Sequence, residues 1–217
     1  MDYNIDPHGW LQGSGGAQYA YKPSPNHSGK FKKRDPSLLV MHYTAGRSFE
    51  KSVAWLCNPQ SKASAHFVIS REGEIAQLVS CNTIAWHAGK SAWPPKLFGR
   101  NTNKSREGCN AFSIGIELEN FGLLQQRPAG WTTQWGQIVE AGEIVLAPRP
   151  YYSGDAGWHA YTEVQLEVAL LLAQAVVVAY PAITEVVGHE DITPVRKIDP
   201  GPAFPMVSFR SQLFGRM

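Results

Sequence analysis

The sequence predicts a single α/β domain in which a central mixed β-sheet is flanked by helices. Its 217 residues suit one domain that carries an arm and a long insertion. Several short apolar runs have the continuous hydrophobic character of strands buried on both faces, and residues 37–42 are the clearest example. These runs alternate with segments of helical pattern, which favours a mixed sheet with helices packed against it.

Three regions differ in composition. Residues 1–36 are rich in Gly, Pro, Ser and Asn and are expected to form a mostly irregular N-terminal arm. The domain proper spans residues 37–217. Within it, residues 121–160 contain many Pro and Gly residues and are expected to be an insertion that follows the strand carrying Glu117.

The first part of the domain contains a helix and a hairpin after its first strand. Ser48 is suited to be the N-cap of a helix that ends near Cys57. The apolar runs 65–70 and 74–79 flank Gly73, which predicts a β-hairpin. Residues 112–118 form a further continuous apolar run and predict another central strand.

The second part contains a weak strand pair and two helices. Within the insertion, residues 137–139 and 143–147 are expected to pair as strands. Thr162 and Gln165 match a capping box, in which each side chain accepts a hydrogen bond from the backbone N–H of the other residue. The helix that they start runs to about Val178. A last short helix is predicted at 207–214.

Composition excludes several classes of protein. Lys and Arg number 20 and Asp and Glu number 18, a net charge of +2 that is too balanced for an electrostatic nucleic-acid binder. The longest apolar run is shorter than the ~20 residues that a membrane span needs, and the N-terminus has no secretory signal pattern. We therefore expect synthesis in the cytoplasm, with release by lysis or export by a secretion system left open. The three cysteines are expected to be free thiols.

Two histidines and an aspartate predict a zinc site. His42 and His189 each stand at the C-terminal end of an apolar run, where a side chain can point into the crevice outside the strand ends. Asp199 lies in a rigid Asp-Pro-Gly turn, and Lys197 points to the same side if that segment is extended. Two neutral imidazoles and one carboxylate are typical of catalytic zinc. The alternatives are hydrogen-bonded core histidines and a surface Lys–Asp pair.

Glu117 is the candidate general base. It lies with Glu119 on one face of a strand that is otherwise apolar, where an unpaired carboxylate is costly. Beside a zinc ion, Glu117 could take a proton from the attacking water. A solvent-exposed edge strand is the alternative explanation, and Glu119 is expected to act as a hydrogen-bonding support.

Taken together, these segments resemble the type 2 N-acetylmuramoyl-L-alanine amidases, a family that includes cytosolic anhydro-muropeptide amidases, phage amidase lysozymes and peptidoglycan recognition proteins. One segment alone would be a weak signal, but several in order with compatible gaps are a strong one. The resemblance runs from about Leu38 to Phe214. The matching segments are HYTAG at 42–46, SAHFVISREGEI at 64–75, AWHAG at 85–89, CNAFSIGIELEN at 109–120 and GHEDITPVRKIDPGPAF at 188–204.

The resemblance implies a zinc hydrolase that cleaves the amide bond between N-acetylmuramic acid and L-alanine in peptidoglycan or muropeptides, a cell-wall-degrading and bacteriolytic activity. It implies zinc held by His42, His189 and Asp199, with Glu117 as the catalytic glutamate and Lys197 as the stabiliser of the oxyanion. The chain is expected to bind its peptidoglycan substrate as a monomer. The residues expected in or near the substrate groove are Lys62, His66, Trp86, His87 and Asn110.

The sequence departs from the family pattern at three places. Tyr43 replaces an Asn that is common in the cytosolic members, the 121–160 segment is long, and Val195 stands where Gly is frequent, a change that we expect to be tolerated. A peptidoglycan-binding module without catalysis and a zinc peptidase of other specificity are the alternative functions. All ligand and catalytic positions are filled, which argues against the first.

The insertion is rich in aromatic residues. We expect them either to form a wall of the substrate groove that stacks on sugars or to pack the insertion onto the domain. These residues are Trp131, Trp135, Tyr151, Tyr152 and Trp158.

Overall fold

The computed structural model describes residues 2–14, 19–32, 36–94, 105–149 and 153–215. Tyr151 and Tyr152 lie outside these residues. The helices are α1 Phe49–Leu56, α2 Glu163–Ala179, α3 His189–Ile192 and α4 Met206–Phe214. The strands are β1 Asp2–Ile5, β2 Leu11–Ser14, β3 Tyr19–Tyr21, β4 His27–Lys30, β5 Leu38–Tyr43, β6 Phe67–Ile69, β7 Ile75–Gln77, β8 Thr83–Ala85, β9 Ala92–Trp93, β10 Arg106–Glu107, β11 Ser113–Leu118, β12 Gln125–Arg127, β13 Gly130–Thr132, β14 Ile144–Pro148, β15 Asp155–His159 and β16 Val186–Gly188.

A mixed sheet forms the centre of the fold, which confirms the predicted fold class. Over the described residues its strand order is β16-β5-β11-β6-β7-β3. Strands β16, β5, β11 and β6 are mutually parallel, β7 is antiparallel to β6, and β3 pairs in parallel with β7. The carboxyl ends of β16, β5 and β11 therefore lie at the same edge of the sheet.

Both faces of the sheet are covered, which explains why its strands are continuously apolar. Leu39 and Met41 pack on the face covered by α2, which contributes Val168, Leu172 and Val176. On the other face, α1 packs against the hairpin of β6 and β7, and Leu38 and Val40 contact a separate cluster. None of the described helices is both long and apolar enough to cross a bilayer. All three cysteines are free, as predicted.

Helix α2 begins as expected, but only half of the capping box forms. The Thr162 hydroxyl accepts a hydrogen bond from the backbone N–H of Gln165 at 3.1 Å. The Gln165 amide instead donates to the carbonyl oxygens of Ile69 and Glu119, at 3.1 and 3.0 Å. Gln165 is fully buried over the ends of β6 and β11, so its amide group finds hydrogen-bond partners in carbonyls at the ends of both strands.

The N-terminal arm is not irregular, contrary to the expectation. Strands β1 and β2 form an antiparallel hairpin, β3 extends the central sheet, and β4 pairs with β8. The buried Gln77 holds the arm through long-range hydrogen bonds: its Oε1 accepts from the N–H of Leu11, and its Nε2 donates to the carbonyl of Gly9. These strands of three or four residues depend on such tertiary partners, which no local pattern reveals.

The insertion contains two hairpins, and the predicted strand pair within it is wrong. Strand β14 pairs with β15, not with residues 137–139. Strand β12 pairs with β13, and residues 137–139 lie along β13, where the N–H of Val139 donates to the carbonyl of Trp131.

Candidate metal centre and active site

Three buried side chains converge at the carboxyl ends of the parallel strands. Nδ1 of His42 lies 3.0 Å from Nδ1 of His189, and each of these nitrogens lies 3.0 Å from Oδ2 of Asp199. The exposed fractions of the three residues are 1%, 3% and 6%. The structure thus brings together the three predicted metal ligands, and among the described residues they are the one group of His, Cys, Asp and Glu side chains arranged to hold a metal ion.

The sheet places two of these ligands. In the parallel pairing of β5 with β11, His42 lies directly opposite Glu117. His189 follows the last residue of β16, the neighbour of β5 on its other side. Three adjacent strands therefore deliver His42, Glu117 and His189 to one edge, as expected where parallel strands end together.

The Asp199 turn is held from three directions. The N–H of Glu190 donates to the Asp199 carbonyl at 2.9 Å, and the Tyr161 hydroxyl donates to the Pro200 carbonyl at 2.8 Å. Gly201 has a φ of +70° and rests on the insertion: a Cβ at this position would lie 2.6 Å from the Trp158 ring. Only glycine fits that conformation and that approach, so the turn is fixed on the indole.

A chain of hydrogen bonds assigns the protons on His42. Its Nε2 lies 3.0 Å from Nδ1 of His87, and Nε2 of His87 lies 3.1 Å from the hydroxyl of Ser113. That hydroxyl donates to the Cys109 carbonyl at 2.6 Å, so it must accept from His87. His87 then carries its proton on Nε2 and accepts from Nε2–H of His42, which leaves a lone pair on Nδ1 of His42.

The converging atoms fit a metal ion. Nε2 of His189 lies 3.3 Å from the Ala88 carbonyl, which only accepts, so Nδ1 of His189 also presents a lone pair. Burial, followed by the nearby His189, lowers the pKa of His42 to about 4 and keeps it neutral. Burial raises the pKa of Asp199, but the neighbouring side chains of His189 and His42 outweigh burial and hold the pKa below its usual range. Two lone pairs and a carboxylate oxygen thus face one point, which is the arrangement that a metal cation between them would need.

The spacing suits zinc. A tetrahedral zinc ion with ligands at about 2.0 Å would separate them by about 3.3 Å, close to the 3.0 Å observed here. Two neutral imidazoles and one carboxylate also leave a coordination position for water or substrate.

Glu117 adjoins this triad and lines a groove. Its Oε2 is buried and has no hydrogen-bond partner among the described residues. Burial, together with the charge of Asp199, raises the pKa of Glu117 well above its usual value, while Lys197 lowers it. A carboxylate left without a protein partner at the mouth of a metal site is available to accept a proton from a bound water.

Lys197 lies on the segment that ends in Asp199. Its positive charge acts on both His42 and Glu117, lowering the pKa of each. Two residues earlier, Val195 has a φ of +71°, a left-handed conformation that is rare for a β-branched residue. The left-handed backbone at Val195 therefore costs conformational energy. The sequence alone predicts only that a valine is tolerated at this position.

Glu119 has the supporting role that was expected. Its two oxygens accept from the backbone N–H groups of Phe49 and Arg71, at 2.9 and 3.2 Å. It thereby ties the first turn of α1 and the β6–β7 hairpin to the end of β11. Burial raises its pKa, although these hydrogen bonds lower it.

The five residues expected to bind substrate do not line the groove that reaches Glu117. His66 is fully buried, and its Nδ1 accepts from the N–H of Gly115 while its Nε2 contacts the Thr83 carbonyl. The Asn110 side chain accepts from the N–H groups of His87 and Ala88. Lys62, Trp86 and His87 are the other three residues that were expected to bind substrate. Within the described part of the chain, none of the five lines the groove that reaches Glu117, so a substrate role for them stays a prediction.

The groove reveals residues that the sequence did not single out. Arg47, Lys51, Trp55 and Trp135 line it together with Glu117. Arg47 directly follows the HYTAG segment, which was the one local signal available. Trp135 was expected only as one of several aromatic residues in the insertion.

Comparison with known proteins agrees with this geometry. Residues 32–202 match the family described as N-acetylmuramoyl-L-alanine amidase. The chain is 31% identical over 220 residues to the 1,6-anhydro-N-acetylmuramyl-L-alanine amidase AmpD of Escherichia coli K12, covering 93% of each chain. It is 33% identical over 186 residues to the N-acetylmuramoyl-L-alanine amidase AmiD of the same organism, covering 82% of this chain and 53% of AmiD.

Solved structures extend the match. A selenomethionine derivative of AmpD superposes with a TM-score of 0.62 at 29% identity, covering 95% of this chain and 97% of that one. AmiD from E. coli, solved with the substrate anhydro-N-acetylmuramic acid-L-Ala-D-γ-Glu-L-Lys, gives a TM-score of 0.58 at 27% identity, covering 96% and 65%. With the matched residues spanning the sheet, the histidines and the Asp199 turn, the chain belongs to the N-acetylmuramoyl-L-alanine amidase family.

Proposed function

We propose that this protein is a zinc amidase that hydrolyses the amide bond between N-acetylmuramic acid and L-alanine in muropeptides or peptidoglycan. The observation that carries the proposal is the convergence of three metal-binding atoms at 3.0 Å beside the unpartnered carboxylate oxygen of Glu117. His42, His189 and Asp199 would hold the metal. Zinc at this site supplies Lewis-acid chemistry that polarises the scissile carbonyl and makes a water molecule more acidic.

The protein's own groups would divide the remaining work. The Glu117 carboxylate takes the proton of the attacking water and returns it to the leaving nitrogen of L-alanine. The Lys197 ammonium stabilises the negative charge that develops on the carbonyl oxygen, an effect worth about 3–4 kcal/mol for one well-placed donor. The hydrogen bonds from Glu190 and Tyr161 keep the Asp199 turn in place while charge moves through the site.

The relatives suggest which substrate to test first. The chain matches AmpD, named for 1,6-anhydro-N-acetylmuramyl-L-alanine, over nearly the full length of both proteins. A soluble anhydro-muropeptide is therefore the first candidate, and polymeric peptidoglycan is the second. A cytoplasmic site of action would fit the first candidate, whereas release by lysis or secretion would fit the second.

Parallel digestion of soluble anhydro-muropeptides and intact sacculi, with products identified by mass spectrometry, tests the proposal. We expect free stem peptide that begins at L-alanine, loss of activity with a chelator and recovery with Zn²⁺. Asp199→Ala should lose both zinc and activity. Full zinc occupancy and turnover in Asp199→Ala would refute the site, and binding of sacculi without cleavage would identify a binding module instead.

A further inference from the structure

A pocket of about 300 Å³ lies on the N-terminal arm, away from the metal centre. We call it the arm pocket and define it by the residues that line it: Asp6, Trp10, Leu11, Gln12, Tyr21 and Gln77. All of them except Gln77 come before residue 32, where the match to the amidase family begins. The groove that reaches Glu117 shares none of these residues with the arm pocket.

The central sheet places the arm pocket on the level of the metal centre. The register across the sheet sets Tyr21 level with Met41, the residue before His42. Strand β3 is the fourth strand from β5, so the two positions are about 19 Å apart if neighbouring strands lie about 4.8 Å apart. A polymer of several sugar rings can span that distance, whereas a single ring cannot.

Backbone contacts fix the turn that carries Trp10. The N–H of Asp6 donates to the Trp10 carbonyl, and the N–H of Trp10 donates to the Asp6 carboxylate, both at 2.8 Å. The Gly9 carbonyl accepts from Nε2 of Gln77 at 2.8 Å. Leu11, which is 2% exposed, packs into the core beneath the hairpin. The hairpin is thus anchored by its backbone and by Leu11, and the exposed aromatic surface beside it does not close the core.

Two aromatic rings form one wall of the arm pocket. Trp10 and Tyr21 meet edge-to-face, with ring centroids 4.2 Å apart and planes at 81°. The Tyr21 side chain nevertheless stays 57% exposed, which is typical of a binding surface. At this separation no ligand fits between the rings, so they do not form a cage around a cation. They offer instead an exposed ring face on which a flat apolar surface can stack.

Polar groups border these rings. Oδ1 of Asp6 accepts from the N–H groups of His8 and Trp10, whereas among the described residues the one donor to Oδ2 is Nε2 of Gln12, at 3.2 Å. The hydrogen bond from Trp10 is the main cause that lowers the pKa of Asp6, so the carboxylate is ionised at neutral pH. Oδ2 therefore keeps a lone pair for a hydroxyl donor, and the exposed Gln12 amide adds a further acceptor.

A pyranose ring matches both halves of the pocket, because its C–H face is apolar and its edge carries hydroxyl groups. We propose that the arm pocket binds a sugar ring of a glycan chain, with the C–H face on the aromatic wall and a hydroxyl donating to Oδ2 of Asp6. The protein then holds a glycan strand at one point while the metal centre works on a peptide several rings away. Sugar binding is independent of catalysis, and its effect on turnover rests on the amidase function proposed above.

Chitotetraose, four linked N-acetylglucosamine rings without a peptide, is the binding probe. In an NMR titration it should shift the indole N–H signal of Trp10, which Trp10→Phe identifies by its loss. Tyr21→Ala should weaken this binding about tenfold, whereas Tyr21→Phe, which keeps the ring, should stay within about twofold of wild type. Leu146→Ala removes another exposed side chain, 62% exposed on the insertion, and is the matched control.

The polar half of the pocket is tested in the same titration. Gln12→Ala should weaken binding about threefold, the size of one hydrogen bond, and Gln126→Ala on the exposed strand β12 is its control. Choline is the contrasting probe. If choline shifted the Trp10 signal and chitotetraose did not, the pocket would be a cation site and the proposal would be wrong. Chitotetraose binding that is equal in wild type, Tyr21→Ala and Gln12→Ala would also overturn it.

Digestion assays connect the arm pocket to activity. Contact at two points of one polymer raises the effective concentration of substrate, so Tyr21→Ala should slow the digestion of sacculi several-fold more than that of a soluble anhydro-muropeptide. An equal change on both substrates would contradict the proposal. If chitotetraose binds as expected but no substrate is cleaved, the amidase function fails and the sugar site stands. If both substrates are cleaved but Tyr21→Ala binds chitotetraose like wild type, the sugar site fails alone.

Discussion

His87 decides which nitrogen of His42 can bind a metal. Gly115 allows the His87 ring to lie against β11, since a Cβ at Gly115 would be 2.5 Å from Cγ of His87. The ring accepts from Nε2–H of His42 and donates to the Ser113 hydroxyl. Partners of this kind orient a metal-binding imidazole and fix its tautomer. His87 therefore acts on the metal site through His42, and its expected place near the substrate groove stays a prediction.

Replacement of His87 should weaken metal binding by more than a loss of folding stability would explain. His87→Phe keeps an aromatic ring but leaves Nε2–H of His42 buried without an acceptor. We expect zinc affinity to fall about 10- to 100-fold, measured by competition with a chelator. Nitrogen chemical shifts of His42 should show loss of a single tautomer. His27→Phe, on the exposed strand β4, is the control, and a zinc Kd within twofold of wild type would contradict the tautomer role.

Glu117→Gln should separate chemistry from metal binding. The amide cannot accept the water proton, so turnover should fall about 10²- to 10⁴-fold, while zinc still binds. Glu119→Gln is the matched control: it loses an acceptor for the N–H of Phe49 or Arg71 and should mainly lower stability. Activity of Glu117→Gln within a few-fold of wild type would exclude the base role.

The same variant has a pH signature in the zinc-free protein. The folded-state pKa of Glu117 is raised, so its ionisation costs stability once the pH exceeds the unfolded value of about 4.3. This loss of stability grows with pH until the Glu117 carboxyl group also ionises in the folded protein. Glu117→Gln should therefore be more stable than wild type at pH 8 but not at pH 4, as measured by urea unfolding with a chelator present. An equal difference at both pH values would argue against an unpaired carboxylate.

At the scale of elements, the insertion has two roles that its aromatic content alone could not separate. Trp158 is 1% exposed and carries the Asp199 turn, and Trp131 packs on Gly157. Trp135 lines the groove that reaches Glu117. Packing and lining of the groove are therefore divided among individual residues of one segment, and stacking on sugars stays a prediction.

The backbone of the loop between α3 and Asp199 is strained at Val195, and a substitution at this position should relieve the strain. A left-handed backbone costs a non-glycine residue about 1–2 kcal/mol, and Val195 is in that conformation with its side chain 64% exposed. Val195→Gly should raise the free energy of unfolding by up to about 1 kcal/mol, because greater freedom of glycine in the unfolded chain offsets part of the gain. Val195→Ala, which keeps a Cβ, should gain less. Urea denaturation of the three proteins checks this order.

The sequence predicted those elements whose own residues determine them. Strands β5 and β11 are buried on both faces, so their runs are apolar throughout, and the ends of β5 and β16 led directly to His42 and His189. Strands β1 to β4 and the pairing of β14 depend on distant partners such as Gln77, which leave no local periodicity. Arg47 was missed for the same reason, since its role comes from the approach of Trp135, nearly 90 residues away in the chain.

At the scale of the whole molecule, buried neutral histidines make the fold sensitive to acid. Burial lowers the pKa of His66 to about 4 and that of His159 to about 3, the latter helped by Arg71. His42 and His87 are lowered as well. These groups stay neutral in the folded protein, whereas the unfolded chain takes up their protons below a pH of about 6.5.

Stability of the zinc-free protein should therefore fall as the pH drops from about 6.5 towards 4. Each such histidine contributes a slope of up to about 1.4 kcal/mol per pH unit, and the raised pKa values of Glu117 and Glu190 offset part of the summed slope. Urea unfolding across this range, with a chelator present, should show uptake of more than one proton. A free energy of unfolding that stays flat between pH 6.5 and 5 would mean that these histidines are charged in the folded state.

Trp158 makes the insertion inseparable from the metal site. The indole under Gly201 belongs to β15, and its Nε1 donates to the Ala147 carbonyl of β14. A chimera that trades residues 121–160 for a shorter connection would remove the support of Asp199, whereas one that trades only residues 125–138 would keep it. A boundary for recombination with other amidases therefore lies inside the insertion. Its first hairpin can be exchanged, whereas its second hairpin supports the metal site and has to stay with the domain.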